Sequence, residues 1–173
     1  MGTSLVFSDT NSLEASRVRR WLSSGGIVAT VAGTANPAAF ALDSYGLPYC
    51  VNGPGNGGPA TSACLLDPSG LAVDASNNLY VSDASNDVVK KINSMTGIIT
   101  TVVGSGAQRS DNTSRIPETD GGNVTATDVN LRMPQGMAFL ADGTLLLADA
   151  ENHCIRRVNL ATSHVVTYVR RCV

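Results

Sequence analysis

The chain is short of the residues from which catalytic and nucleic-acid-binding sites are usually assembled. Its 173 residues include two histidines, one tryptophan, three phenylalanines and four tyrosines. Two histidines, with no third partner and no His-x-His spacing, do not make an ordinary zinc site. No Gly-x-Ser-x-Gly nucleophile elbow occurs, and no motif implies a cofactor. Charged residues are only 15%, with 14 acidic against 12 basic, so the net charge of −2 sets up no field that favours nucleic acid. No apolar run approaches the 18 residues of a membrane-spanning helix. The first residues, 1–12, lack a basic start followed by an apolar stretch, so no secretory signal is visible in them.

What is abundant is apolar residues, 43%, and glycine, 17 residues. That is apolar enough to fold as one domain and too poorly charged for disorder. A core of Val, Ile, Leu and Ala, broken by many tight turns, is expected.

The organising feature is an internal repeat. The segment LYVSDASNDVVKKINSMTGIITTVVGS (79–105) aligns without a gap on LLLADAENHCIRRVNLATSHVVTYVRR (145–171). Asp83 falls on Asp149, Asn86 on Asn152, and Lys90-Lys91 on Arg156-Arg157. A third copy, LVFSDTNSLEASRVRRWLSSGGIVATVAGT (5–34), places Asp9 on Asp83 and Arg19-Arg20 on Lys90-Lys91, with three extra residues between the Asp and the basic pair. Each copy reads as short β-branched strands separated by Asn, Asp and Gly turns, with no sustained helical period. GLAVD (70–74) and GMAFL (136–140) open the second and third copies. Their first two strands are apolar on both faces, so both faces must be covered. The fourth strand carries Thr100, Thr101 and Thr167, as an outer strand should. Stacked four-stranded antiparallel blades, with the inner strands most enclosed, satisfy all of this.

The motifs Pro68-Ser-Gly70, AVD (72–74), NLYVSD (78–83), Asn86, VVKKI (88–92) and GIITTVVGSG (97–106) resemble the NHL-repeat β-propeller family. GNGGPATSACL (55–65) resembles the spacer of its long-period members. The resemblance implies an all-β fold: a β-propeller arc of four-stranded antiparallel blades, about three of them, the first incomplete. The blade portions are expected at 4–33, 68–104 and 134–170, with spacers at 34–67 and 105–133. A ring needs about four blades, so the chain reads as a segment of a larger propeller. The remaining blades, or self-association, are expected to cover its ends.

Four groups of candidate site residues follow. Asp9, Asp83 and Asp149, with Asn86 and Asn152, are assigned to the repeat turn, where a carboxylate accepts backbone N–H groups. A shared ion is disfavoured, because ligands in separate blades lie too far apart to converge. Arg19, Arg20, Lys90, Lys91, Arg156 and Arg157 are a candidate basic surface, since some NHL proteins bind RNA on a basic face. Adjacent strand residues point to opposite faces, so at most one of each pair can join it. The plainer reading is that their stems pack between blades and their heads pair with carboxylates. Cys50 and Cys64 bracket a spacer with four glycines and two prolines. A bridge there would close a loop of about 15 residues, contribute roughly 3 kcal/mol and fit an oxidising compartment. Asn112 and Asn123 head glycosylation sequons in the second spacer. With the cysteines they tilt the reading toward an extracellular parent protein, although the compartment is not determined.

The function expected is a noncatalytic binding or scaffold module that presents long loops from rigid blades to a protein or glycan ligand. Nucleic acid is disfavoured. The alternatives are part of a metal-dependent lyase or lactonase-type propeller, which the resemblance also admits, and an RNA-binding NHL surface.

Overall fold

A computed structural model describes residues 4–10, 16–23, 25–42, 44, 48–51, 55–106 and 124–170. Among them there are strands and single 3-10 turns and no α-helix. The first sheet is β1 (Ser4–Asp9), β2 (Arg17–Leu22) and β3 (Ile27–Ala32), in that order. A two-stranded ribbon follows, β4 (Phe40–Leu42) with β5 (Pro48–Cys50). The second sheet is β6 (Pro68–Val73), β7 (Leu79–Asp83), β8 (Val88–Ile92) and β9 (Ile99–Val103). The third repeats it as β11 (Pro134–Phe139), β12 (Leu145–Asp149), β13 (Cys154–Asn159) and β14 (His164–Arg170), with the short β10 (Val124–Thr125) added outside β14. All pairings are antiparallel between neighbours. This is the all-β propeller arc that the repeat implied.

The short fifth strand has a local cause. At the position 66 residues before Thr125 the second sheet has Pro59, which makes one isolated bridge to Ile98. Proline has no N–H to donate to a ladder. With Thr125 in its place, the same contact grows into a two-residue pairing, Val124 with Val165 and Thr125 with His164.

Each sheet has a front face toward the preceding sheet and a back face toward the following one. Because side chains alternate along a strand, both faces must be apolar, and they are. The back of the first sheet (Val18, Ala32) meets the front of the second (Leu79, Val81, Ile92, Ile99), with Ala60, Ala63 and Leu65 between them. The back of the second sheet (Tyr80, Val89, Val103) meets the front of the third (Leu145, Leu147, Val158, Val165), with Ala126, Val129 and Leu131 in the equivalent place. Each such fully buried aliphatic side chain contributes about 1.5–3 kcal/mol.

Backbone bonds join the blades in the same repeated way. Gly33 and Thr34 donate to the Ala60 and Ala63 carbonyls at 3.0 and 2.8 Å, and Gly104 and Ser105 donate to those of Ala126 and Val129 at 2.8 and 3.0 Å. The most enclosed strand is β7, buried along its whole length, whereas β6 is largely half-exposed. The expectation that the inner strands are the most enclosed thus holds for β7 and fails for β6. As the edge of its sheet, β6 has a ladder partner on one side only.

Candidate functional site: the carboxylate clamps and the stapled insertion

Asp83 ends β7 with its side chain fully buried. One carboxylate oxygen accepts the Leu66 backbone N–H at 2.7 Å, and the other accepts the Asn86 amide at 2.8 Å. Asp149 repeats this with the Arg132 N–H at 2.8 Å and the Asn152 amide at 2.9 Å. The carboxylate does not cap its own 3-10 turn. It ties the end of the second strand to the residue through which the chain enters the first strand of the same sheet. Neither Leu66 nor Arg132 was singled out from the sequence. Their signal is only the 66-residue offset, since both donate through the backbone. Asp9 sits differently: half-exposed, 3.7 Å from the Arg19 guanidinium.

The basic pairs divide by face. A register shift falls at the same place in every third strand, between Val18 and Arg19, Val89 and Lys90, and Ile155 and Arg156. Bulges of this kind re-aim side chains. Lys90 and Arg156 are buried, at 0% and 2% exposure, so these two do not belong to a basic surface. Their charges are used between strands. The Lys90 ammonium donates to the Gly55 carbonyl at 2.9 Å and to the Thr101 hydroxyl at 3.2 Å. The Arg156 guanidinium donates to Asp149 at 2.9 Å and to the Thr167 hydroxyl at 2.6 Å. Arg20 and Arg157 are exposed, Arg19 and Lys91 half-buried. Lys91 lies 5.7 Å from the Tyr80 ring centre and Arg157 pairs with Asp142 at 3.3 Å.

Burial pushes the Asp83 carboxyl up to about 7, against the Asn86 and Leu66 hydrogen bonds and the Lys90 charge, which pull it down. Burial likewise lowers the Lys90 ammonium, and the Asp83 charge restores part of that.

The insertion between the first two sheets is anchored at several points. Cys50 and Cys64 form a disulfide with their Cα atoms 5.9 Å apart. Both are buried and pack with Leu66, Ala39 and Phe40. The Asn86 amide lies 3.7 Å from the Cys50 sulfur, so the bridge rests on the Asp83–Asn86 pair. Downstream, the Asn56 side chain accepts the Thr101 N–H at 2.6 Å and Gly57 donates to the Ile99 carbonyl at 2.8 Å. Asn112 and Asn123 lie outside the described residues. Among those described, no group of three or more His, Cys, Asp or Glu side chains is gathered as a metal site would be.

Comparison with known proteins decides the family. The family model described as the teneurin NHL domain matches residues 2–120, and that of the NHL repeat matches residues 131–158. The chain belongs to the teneurin NHL domain family. Teneurin-3 of Danio rerio is 33% identical over 112 residues, covering 60% of this chain and 4% of the relative. Teneurin-4 of Mus musculus is 28% identical over 166 residues, covering 91% and 6%. The teneurin-type segment described here thus spans about one-twentieth of the length of the curated relatives it matches. Among solved structures, virginiamycin B lyase from Staphylococcus aureus aligns with a TM-score of 0.43 and 16% identity, covering 95% of this chain and 51% of that one. In the second and third blades of this teneurin NHL arc the aspartate, the asparagine and the first residue of the basic pair, Asp83, Asn86 and Lys90 and then Asp149, Asn152 and Arg156, bond within the fold. The insertion stands outside the sheets.

Proposed function

We propose that this NHL arc is a noncatalytic binding module, and that the stapled insertion carries a recognition surface for a protein ligand. The observation behind this reading is the ribbon of β4 and β5. It stands apart from the three sheets, yet the Cys50–Cys64 bridge, Lys90 and Asn56 hold its return path to the second blade. It presents Leu42 and Val51 at 59% and 48% exposure. A rigid platform with a tethered projecting loop keeps the entropy cost of binding low. The buried disulfide favours an oxidising, extracellular setting.

The test is a screen of the chain against arrays of extracellular proteins and glycans, with a Leu42→Glu, Val51→Glu variant in parallel. Binding to a protein that the variant loses, with the far-ultraviolet spectrum unchanged, supports the reading. Binding that ignores the ribbon overturns it. So does metal analysis that finds a divalent ion held by Asp or His side chains of this segment.

A further inference from the structure

The chain enters the second sheet through an Asp-Pro peptide bond whose two sides differ. The Asp67 side chain is exposed, and Pro68 is buried. Asp67 has a left-handed backbone, φ 54°. Proline confines the residue before it to extended backbone, so this conformation is strained. The third sheet has the same junction 66 residues later, with Met133 at φ 46° before Pro134. The strain therefore belongs to the repeat. What the second junction adds is a carboxyl group next to the strained bond.

The groups around this bond suit its cleavage. The Asp67 carbonyl oxygen accepts the Ala84 N–H at 3.3 Å. Pro68 lies directly across the ladder from Asp83. The Asp83 carboxyl accepts the N–H of Leu66, the residue before Asp67, at 2.7 Å. Asp83 is fully buried. Burial pushes it up to about 7 against the Asn86 and Leu66 hydrogen bonds and the Lys90 charge, and the Asp67 charge adds to the rise. A protonated acid thus stands on the buried side of the bond, next to Pro68. A carboxylate and solvent stand on the exposed side. The attacking oxygen and the attacked carbonyl carbon both belong to Asp67, so covalent connectivity keeps them within reach.

We propose that the Asp67–Pro68 bond is a self-cleavage site, with Asp67 as nucleophile, the Ala84 N–H as oxyanion donor and Asp83 as general acid. An Asp67 carboxylate oxygen attacks the main-chain carbonyl carbon of the same residue. The Ala84 N–H holds the oxyanion that forms. The C–N bond then breaks. Its electron pair goes to the Pro68 nitrogen, which takes the Asp83 proton. Asp67 is left as a cyclic anhydride, to which water adds. The ring opens to two carboxylates. Of the two protons released, one returns to Asp83 and the other goes to the Pro68 amine. The net reaction is hydrolysis of one peptide bond. The two segments remain in contact, because Gly57 bonds Ile99, Asn56 bonds Thr101, and Leu65 stays in the core beside the second sheet. Cleavage turns a covalent tie between the first two blades into a contact that a pulling force can open.

The experiment holds the full chain at about pH 6 and about pH 8, folded and in concentrated urea, and follows intact masses without reductant. The expected products are segments 1–67 and 68–173, whose masses sum to the parent plus one water. The folded chain at the lower pH should cleave fastest, and the rate should fall as Asp83 loses its proton above about 7. Asp67→Asn tolerates the left-handed backbone and should stop the reaction. Asp83→Asn should slow it about 100-fold with the far-ultraviolet spectrum unchanged. The proposal is overturned if no cleavage occurs, if another bond breaks instead, or if either variant cleaves as fast as the parent. It is equally overturned if the chain in urea cleaves as fast as the folded one, which makes the site ordinary acid lability. The urea and pH arms use the unmodified protein, so they decide the question even where Asp83→Asn fails to fold.

Discussion

The second and third blades solve one problem in two ways. Both bury an aspartate at the end of the second strand and a basic side chain seven residues later, directly across from an apolar partner in the ladder: Lys90 opposite Val81, Arg156 opposite Leu147. In the third blade the planar guanidinium reaches both Asp149 and Thr167. In the second, the ammonium bonds a carbonyl of the insertion and Thr101, and Asp83 is left with neutral donors. Arginine is a fork that bonds in several directions, whereas lysine is a compact point charge. The difference teaches that the same repeat position can close a blade on itself or fasten a neighbouring loop to it.

The sharpest way to break the comparison is to remove the carboxylates. Asp149→Ala strands a buried guanidinium and should cost about 3–5 kcal/mol by denaturant titration. Asp83→Ala leaves Lys90 with both of its oxygen acceptors and should cost clearly less. Equal losses would show that the two clamps are energetically the same.

Next in size is the bridge, which the third blade lacks. Cys50→Ser with Cys64→Ser should cost about 3 kcal/mol, lowering Tm by roughly 6–12 °C. Adding reductant to the unmodified protein under conditions that open the bridge should do the same. Asp149→Ala and the double serine change should combine additively, since they act in different blades.

The third prediction uses the proton. The folded state holds the Asp83 carboxyl at about 7 against an ordinary 3.8. Between those values the folded protein binds the proton and the unfolded chain does not, so this group's contribution to stability falls as pH rises from about 4 to about 7 and is level above. Asp83→Asn imitates the protonated form. It should flatten that part of the stability-versus-pH curve and be relatively more stable at pH 8 than at pH 4.5. A curve whose slope is the same with and without the substitution would refute the assignment.

The smallest effects belong to the outward partners of the buried cations. Lys91→Ala and Arg157→Ala should each change stability by no more than about 0.5 kcal/mol. Lys91→Ala should be the larger of the two, because its ammonium faces the Tyr80 ring.

The repeat itself was legible in the chain. The apolar alternation of LYVSD and LLLAD, the turns after them, and the offset that places Asp83 on Asp149 and Lys90 on Arg156 are local and recur, so strand order and blade class follow from them. The pleat also dictates that neighbours such as Lys90 and Lys91 face opposite ways. Which of the two is buried was decided only by the register shift before Lys90 and by the sheet packed against that face. The destination of the Asp83 carboxylate was likewise invisible, because it bonds a backbone N–H at Leu66, and any residue other than proline supplies one. That Cys50 rests on Asn86, and that Thr101 meets Asn56, depend on where an insertion of Gly-rich chain returns. Strand identity is carried by side chains two residues apart; these contacts join residues 36 and 45 apart in sequence, and only the return of the insertion onto the second blade brings them together.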